Sequence, residues 1–131
     1  MTELEIESTT TDMLAKIFLE NSLNSEIFHD RDETRKYDTC VKNIVMITDE
    51  LYFRSSIDIL FPLMKHENPW ARCSAAIACW NAAEESARAV LEEVGRIRKG
   101  EAALRARGAL NNFRAGRNVV RRLGEKRRTA D

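Results

Sequence analysis

The segment His66-Glu67-Asn68-Pro69-Trp70-Ala71-Arg72 constrains the fold of this chain more than any other. Asn68 brings a side-chain oxygen to the free N–H groups of a helix start. Pro69 falls at the first helical position, where a missing N–H leaves no bond unmade. The helix this opens, from Trp70 to about Ala82, is apolar nearly all round, with Trp70, Ala71, Cys73, Ala75, Ala76, Ile77, Cys79 and Trp80. A helix of that kind has to be covered on more than one side, and its alanines let the covering helices come close. The segment also has an echo. Ala71-Arg72-Cys73-Ser74-Ala75-Ala76-Ile77 aligns with Leu104-Arg105-Ala106-Arg107-Gly108-Ala109-Leu110 at an offset of 33 residues, arginine on arginine. Ile57, Leu60, Phe61 and Met64 align with Ala87, Val90, Leu91 and Val94 at an offset of 30. Repetition at this period is the mark of stacked helix pairs.

Apolar residues at steps of three and four place the remaining helices. The first runs from an N-cap among Thr9-Thr10-Thr11-Asp12 to about Phe28, with Met13, Leu14, Ile17, Phe18, Leu23, Ile27 and Phe28 on its stripe. After a polar break at residues 29–32 a second carries Tyr37, Cys40, Val41, Ile44, Val45, Ile47 and Leu51. A third spans about Arg54 to Lys65, and Pro62 inside it predicts a kink or an early end. A fifth covers Glu84 to about Val94. A sixth covers Glu101 to about Phe113, with Ala102, Ala103, Leu104, Ala106, Leu110 and Phe113 facing inward. Residues 1–9, short and acidic, read as disordered, and residues 117–131 as a basic tail or a short seventh helix. Five glycines and two prolines in 131 residues suit long helices. The expectation is one all-α domain over residues 10–116, about six helices in three antiparallel pairs, with residues 10–51 the divergent pair.

The run Pro-Trp-Ala-Arg followed by Ala75-Ala76 resembles the start of the second helix of a HEAT repeat, which implies a short right-handed α-α superhelix of the HEAT or armadillo type. A longer stretch narrows the resemblance. Leu60-Phe61-Pro62-Leu63-Met64 through Arg72, then Ala75-Ala76, then Ala87-x-x-Val90-Leu91-Glu92-Glu93, is similar to the bacterial "domain of unknown function 2019" family across about residues 35–113. Ala71 stands where that family usually has valine. The resemblance implies a fold and a bacterial origin, and no activity. In it Asn68, Pro69 and Arg72 have structural work, Arg72 as a strut between repeats and Arg105 as its counterpart one repeat on.

The charges cancel over the whole chain, 21 basic against 21 acidic, but they are segregated. Residues 1–38 hold 10 acidic and 4 basic side chains, and residues 88–131 hold 5 acidic and 13 basic. A basic third of this kind points to a solvated basic tail that attracts the chain's own acidic end, to a partner, or to a nucleic-acid backbone. Aromatic residues hardly interleave with the arginines, so base stacking is not indicated. The candidate partner-binding residues are Trp70, expected half exposed at the rim of its helix, and Arg105, Arg107, Arg114, Arg117, Arg121 and Arg122.

Little suggests chemistry. Cys73 and Cys79 lie six residues apart on one helix, about 600° of rotation, so they cannot share a metal ion. His29 and His66 fall in breaks between helices, with no nucleophile at a telling spacing. Gly95-x-x-x-x-Gly100 lacks the Lys-Ser/Thr of a phosphate loop. No catalytic residue, cofactor or metal is expected. Three cysteines, no apolar leader and no membrane-length apolar run suit a reduced, cytoplasmic setting. The reading is a non-catalytic protein-interaction module. Alternatives are an immunity or antitoxin-type inhibitor of a toxin, nucleic-acid binding through the basic third, and a homodimer through the end faces of the stack.

Overall fold

The structure is a computed structural model that describes residues 1–97 and 99–117. It is all-helical, with no strand among the described residues. Helices α1 (Glu3–Glu7), α2 (Thr11–Asp30) and α3 (Thr34–Phe53) lead into a 3₁₀ stretch, Ile57–Lys65. Helices α4 (Pro69–Cys79), α5 (Glu84–Gly95) and α6 (Glu101–Arg114) follow. The short connections force consecutive elements to lie side by side and antiparallel, as α2 with α3, the 3₁₀ stretch with α4, and α5 with α6. The seventh helix or tail expected beyond residue 117 lies outside the described residues.

Helices α2, α4 and α6 form one row, since α4 packs against both α2 and α6, and α3, the 3₁₀ stretch and α5 are their respective pair partners. The first pair thus enters in reverse order: its first helix aligns with the second helices of the other two. Helix α4 sits in the middle of its row, so Trp70, Ala71, Cys73, Ser74, Ala75, Ala76, Ala78 and Cys79 are all buried. Around it the core gathers Leu14, Phe18, Ile47, Leu51, Leu60, Leu91, Val94 and Leu110. Trp80 closes the far side, stacked flat on Phe113 with ring centroids 4.0 Å apart and with the Arg88 guanidinium 5.0 Å from its ring centre.

Two elements differ from expectation. The stretch before α4 is 3₁₀ along its length. Pro62 has no N–H to give and disfavours the α conformation at Phe61, and nine residues wound more tightly still bury Ile57, Leu60 and Met64. Residues 1–9, expected to be disordered, hold α1. Thr2 and Glu5 form a reciprocal capping box, Thr2 Oγ1 accepting from Glu5 N and Glu5 Oε1 accepting from Thr2 N. Ile6 is buried to 1% against the main core. Arg54, at the end of α3, ties the element down. Its guanidinium pairs with Glu50 at 2.6 Å and donates to the Ile6 and Glu7 carbonyls and to Thr11 Oγ1.

Three helices end in the same way. After α2, α3 and α6 one residue takes a left-handed conformation, Asp32 (φ 59°), Ser55 (φ 57°) and Gly116 (φ 77°). In each case the next N–H reaches back five residues, Glu33 to Phe28, Ser56 to Leu51 and Arg117 to Asn112. These are Schellman reversals, and glycine supplies only one of them.

Candidate interaction surface

The residues expected to meet a partner divide into those turned in and those turned out. Trp70 is turned in: it is 2% exposed and its indole N–H donates to Ser25 Oγ of α2 at 2.9 Å. A side chain at a helix start points back toward the N-terminus, and here that direction leads across the end of α2 instead of into solvent. Arg105 is turned in as well. Its Nη1 donates to Ser74 Oγ (2.8 Å) and to the Trp70 carbonyl (3.3 Å), and its guanidinium lies 4.6 Å from the centre of the Trp70 ring. Ser74 in turn receives a bond from Ser22 Oγ at 2.6 Å and donates to the Trp70 carbonyl. Ser25 donates to the Ser22 carbonyl. A closed polar seam therefore crosses all three helices of the row, and every hydroxyl in it is satisfied. The three serines carried no periodic signal in the sequence, because serine reads alike on a surface and in a seam.

Asn68, Pro69 and Arg72 lie in the turn into α4 and its first residues. Asn68 Oδ1 caps α4 by accepting from Ala71 N, and its Nδ2 donates to Glu26 Oε1 of α2, both at 3.0 Å. Pro69 is the first residue of α4. Arg72 bonds mainly within its own hairpin, to the His66 and Glu67 carbonyls, and reaches Glu93 of α5 at 3.6 Å.

What remains outward is on α6. Its inner face buries Ala103, Ala106 and Leu110. The outer half exposes Glu101, Leu104, Arg107, Gly108, Asn111, Arg114 and Ala115. Leu104, expected inward, is 57% exposed. The repeat makes this informative. Shifted by 33 residues, Leu104, Arg107, Gly108 and Asn111 correspond to Ala71, Ser74, Ala75 and Ala78 of α4. All four of those are at most 2% exposed. The stripe that α4 buries under its neighbours is the stripe that α6 leaves open.

The chemistry of the stripe is graded. Leu104 lies along its middle with Gly108, where even an added Cβ would meet nothing within 4 Å. Arg107 and Arg114 form one flank. Arg107 is held in place: its Nη1 donates to the Gly95 carbonyl at 2.7 Å and its stem lies over Gly95, where a Cβ would come within 3.2 Å of it. Arg117 bonds Asn112 Oδ1 at 3.1 Å beside the stripe. Arg121 and Arg122 lie outside the described residues.

A second concavity offers less. Phe28, Arg35, Lys36, Thr39 and Cys40 line an open groove of about 260 Å³ where α2 ends and α3 begins. Two of its polar side chains are occupied locally: Thr39 bonds the Arg35 carbonyl, while Lys36 pairs with Glu33 and stands over the Phe28 ring. Burial pushes the Cys40 thiol up from its ordinary value, and does the same to Cys73 and, to about 12, to Cys79. A raised pKa keeps the thiols protonated and poor as nucleophiles or metal ligands. Among the described residues no three His, Cys, Asp or Glu side chains gather as a metal site would require, and no helix is long and apolar enough to cross a membrane.

No family model, no curated protein and no solved structure matches the chain.

Proposed function

We propose that this chain is a non-catalytic interaction module, a small bacterial stack of HEAT-like helix pairs, that holds an acidic protein surface against the outer face of α6. The observation that carries the reading is the open stripe at Leu104, Arg107, Gly108 and Asn111, whose counterparts on α4 are covered. An exposed leucine beside Arg114 and the pre-positioned Arg107 suits a partner that offers exposed apolar surface flanked by carboxylates. Packing against Leu104 supplies affinity, and the arginines select the sign of the partner. A nucleic-acid backbone would leave the leucine in water, so the stripe favours a protein.

The test is a photo-reactive amino acid placed at Asn111 in the cells that make the chain. Irradiation is expected to yield one protein adduct carried on an acidic surface, lost when Arg107→Glu and Arg114→Glu are introduced together. An adduct with nucleic acid, or an adduct indifferent to those reversals, would remove the reading.

A further inference from the structure

Among the described residues four large apolar side chains are exposed, Leu4 on α1, Met13 and Ile27 on α2 and Leu104 on α6, and the two most exposed lie on the first and the last described helix. At the C-terminal end of the described stack it is Leu104, beside Arg107 and Arg114. At the N-terminal end it is Leu4, 77% exposed on α1, framed by the exposed carboxylates of Glu3 and Glu7. Helix α1 packs on α3 at one end, and α6 packs on α4 and α5 at the other.

We infer that the acidic surface that fits the α6 stripe is the α1 end of a second copy of this chain, joined head to tail. This rests on the α6 reading above and names its partner. Charge decides the orientation. Joining two α6 stripes would set Arg107 and Arg114 against their own kind, and joining two α1 ends would set Glu3 and Glu7 against theirs. Only the mixed contact brings Leu4 with its carboxylates onto Leu104 with its guanidinium groups. The segregation of the sequence runs the same way, with 10 acidic against 4 basic side chains over residues 1–38 and 13 basic against 5 acidic over residues 88–131. Both surfaces are presented on held elements. Arg54 fixes α1 through the Ile6 and Glu7 carbonyls, and Arg107 is fixed on Gly95. Such a contact is heterologous: each copy keeps one free acidic end and one free basic end, so association continues into a ring or a filament.

The experiment is sedimentation of the full-length chain over a concentration series at low (about 0.01 M) and high (about 1 M) ionic strength, where screening lengths differ by about tenfold. The expected result is concentration-dependent association at low salt that dissociates at high salt. Leu4→Ser and Leu104→Ser, both at exposed positions, are each expected to weaken it by about tenfold. The double reversals Glu3→Lys with Glu7→Lys, and Arg107→Glu with Arg114→Glu, are each expected to be monomeric alone and to associate when mixed; they spare the capping pair Thr2–Glu5. Circular dichroism shows whether each variant keeps its helices. A chain that stays monomeric at low salt overturns the inference, as does association that is not weakened by the loss of either leucine. If the chain is monomeric while the adduct at Asn111 is a different acidic protein, this inference fails and the α6 reading stands. If the chain associates but Leu104→Ser has no effect, this inference fails and the adduct at Asn111 alone decides the α6 reading.

Discussion

At the scale of single residues, the instructive side chains are those whose type says nothing about their position. Trp70 looked like an anchor because it begins a helix beside a proline, yet Ser25 gives its indole a partner and Arg105 covers its face. The direction in which a side chain leaves a helix decided that, and direction depends on what the neighbouring helix offers, which no local pattern records. Ser55 is a second case. It holds a left-handed conformation that costs an ordinary residue about 1 kcal/mol, at a position where helices elsewhere place glycine. Ser55→Gly is therefore expected to stabilise the fold by roughly 0.5–1 kcal/mol, visible as a rise in thermal midpoint of a few degrees with an unchanged far-ultraviolet spectrum. An unchanged or lowered midpoint would show that the Ser55 conformation carries no strain.

At the scale of elements, α2 to α6 were legible to within a few residues, because each has an apolar stripe long enough to show a period. The elements that were not legible lack one. Helix α1 has five residues, too few for a period, and its one signal was the Thr2-x-x-Glu5 spacing of a capping box. The stretch Ile57–Lys65 has a stripe, but α and 3₁₀ stripes overlap over nine residues, and Pro62 settles the matter only through hydrogen bonds. The hold on α1 is long-range and therefore silent in sequence. Arg54 reaches back 48 positions to Ile6 and 43 to Thr11. Arg54→Ala takes the cation away from Glu50, whose side chain is 5% exposed, and lets go of two α1 carbonyls. The expected cost is about 3 kcal/mol. Proton exchange should show the amides of α1 and the start of α2 opening before the rest. Uniform loss of protection across all helices would mean that α1 is not a separately held element.

At the scale of the whole molecule, the sequence pattern foretold an all-helical fold of packed neighbouring helices, while the reversed entry of the first pair and the open stripe on α6 needed three dimensions. The inward placing of Leu104 came from the apolar spacing within α6, and spacing alone does not say whether a neighbouring helix covers that face. The packing of the helices also separates the three thiols. Cys73 and Cys79 are fully buried on the central helix, whereas Cys40 lines the open groove and is 6% exposed. Reaction with an aromatic disulfide reagent at mild alkaline pH is expected to modify Cys40 first, through local opening. Cys73 and Cys79 should follow together at a rate that tracks the unfolding equilibrium across a urea series. Two separate slow phases, or one that ignores urea, would contradict the central placement of α4. The molecule thus carries its own gauge: a chain with one thiol at its margin and two at its middle reports, by the order in which they are spent, whether it loosened at an edge or came apart.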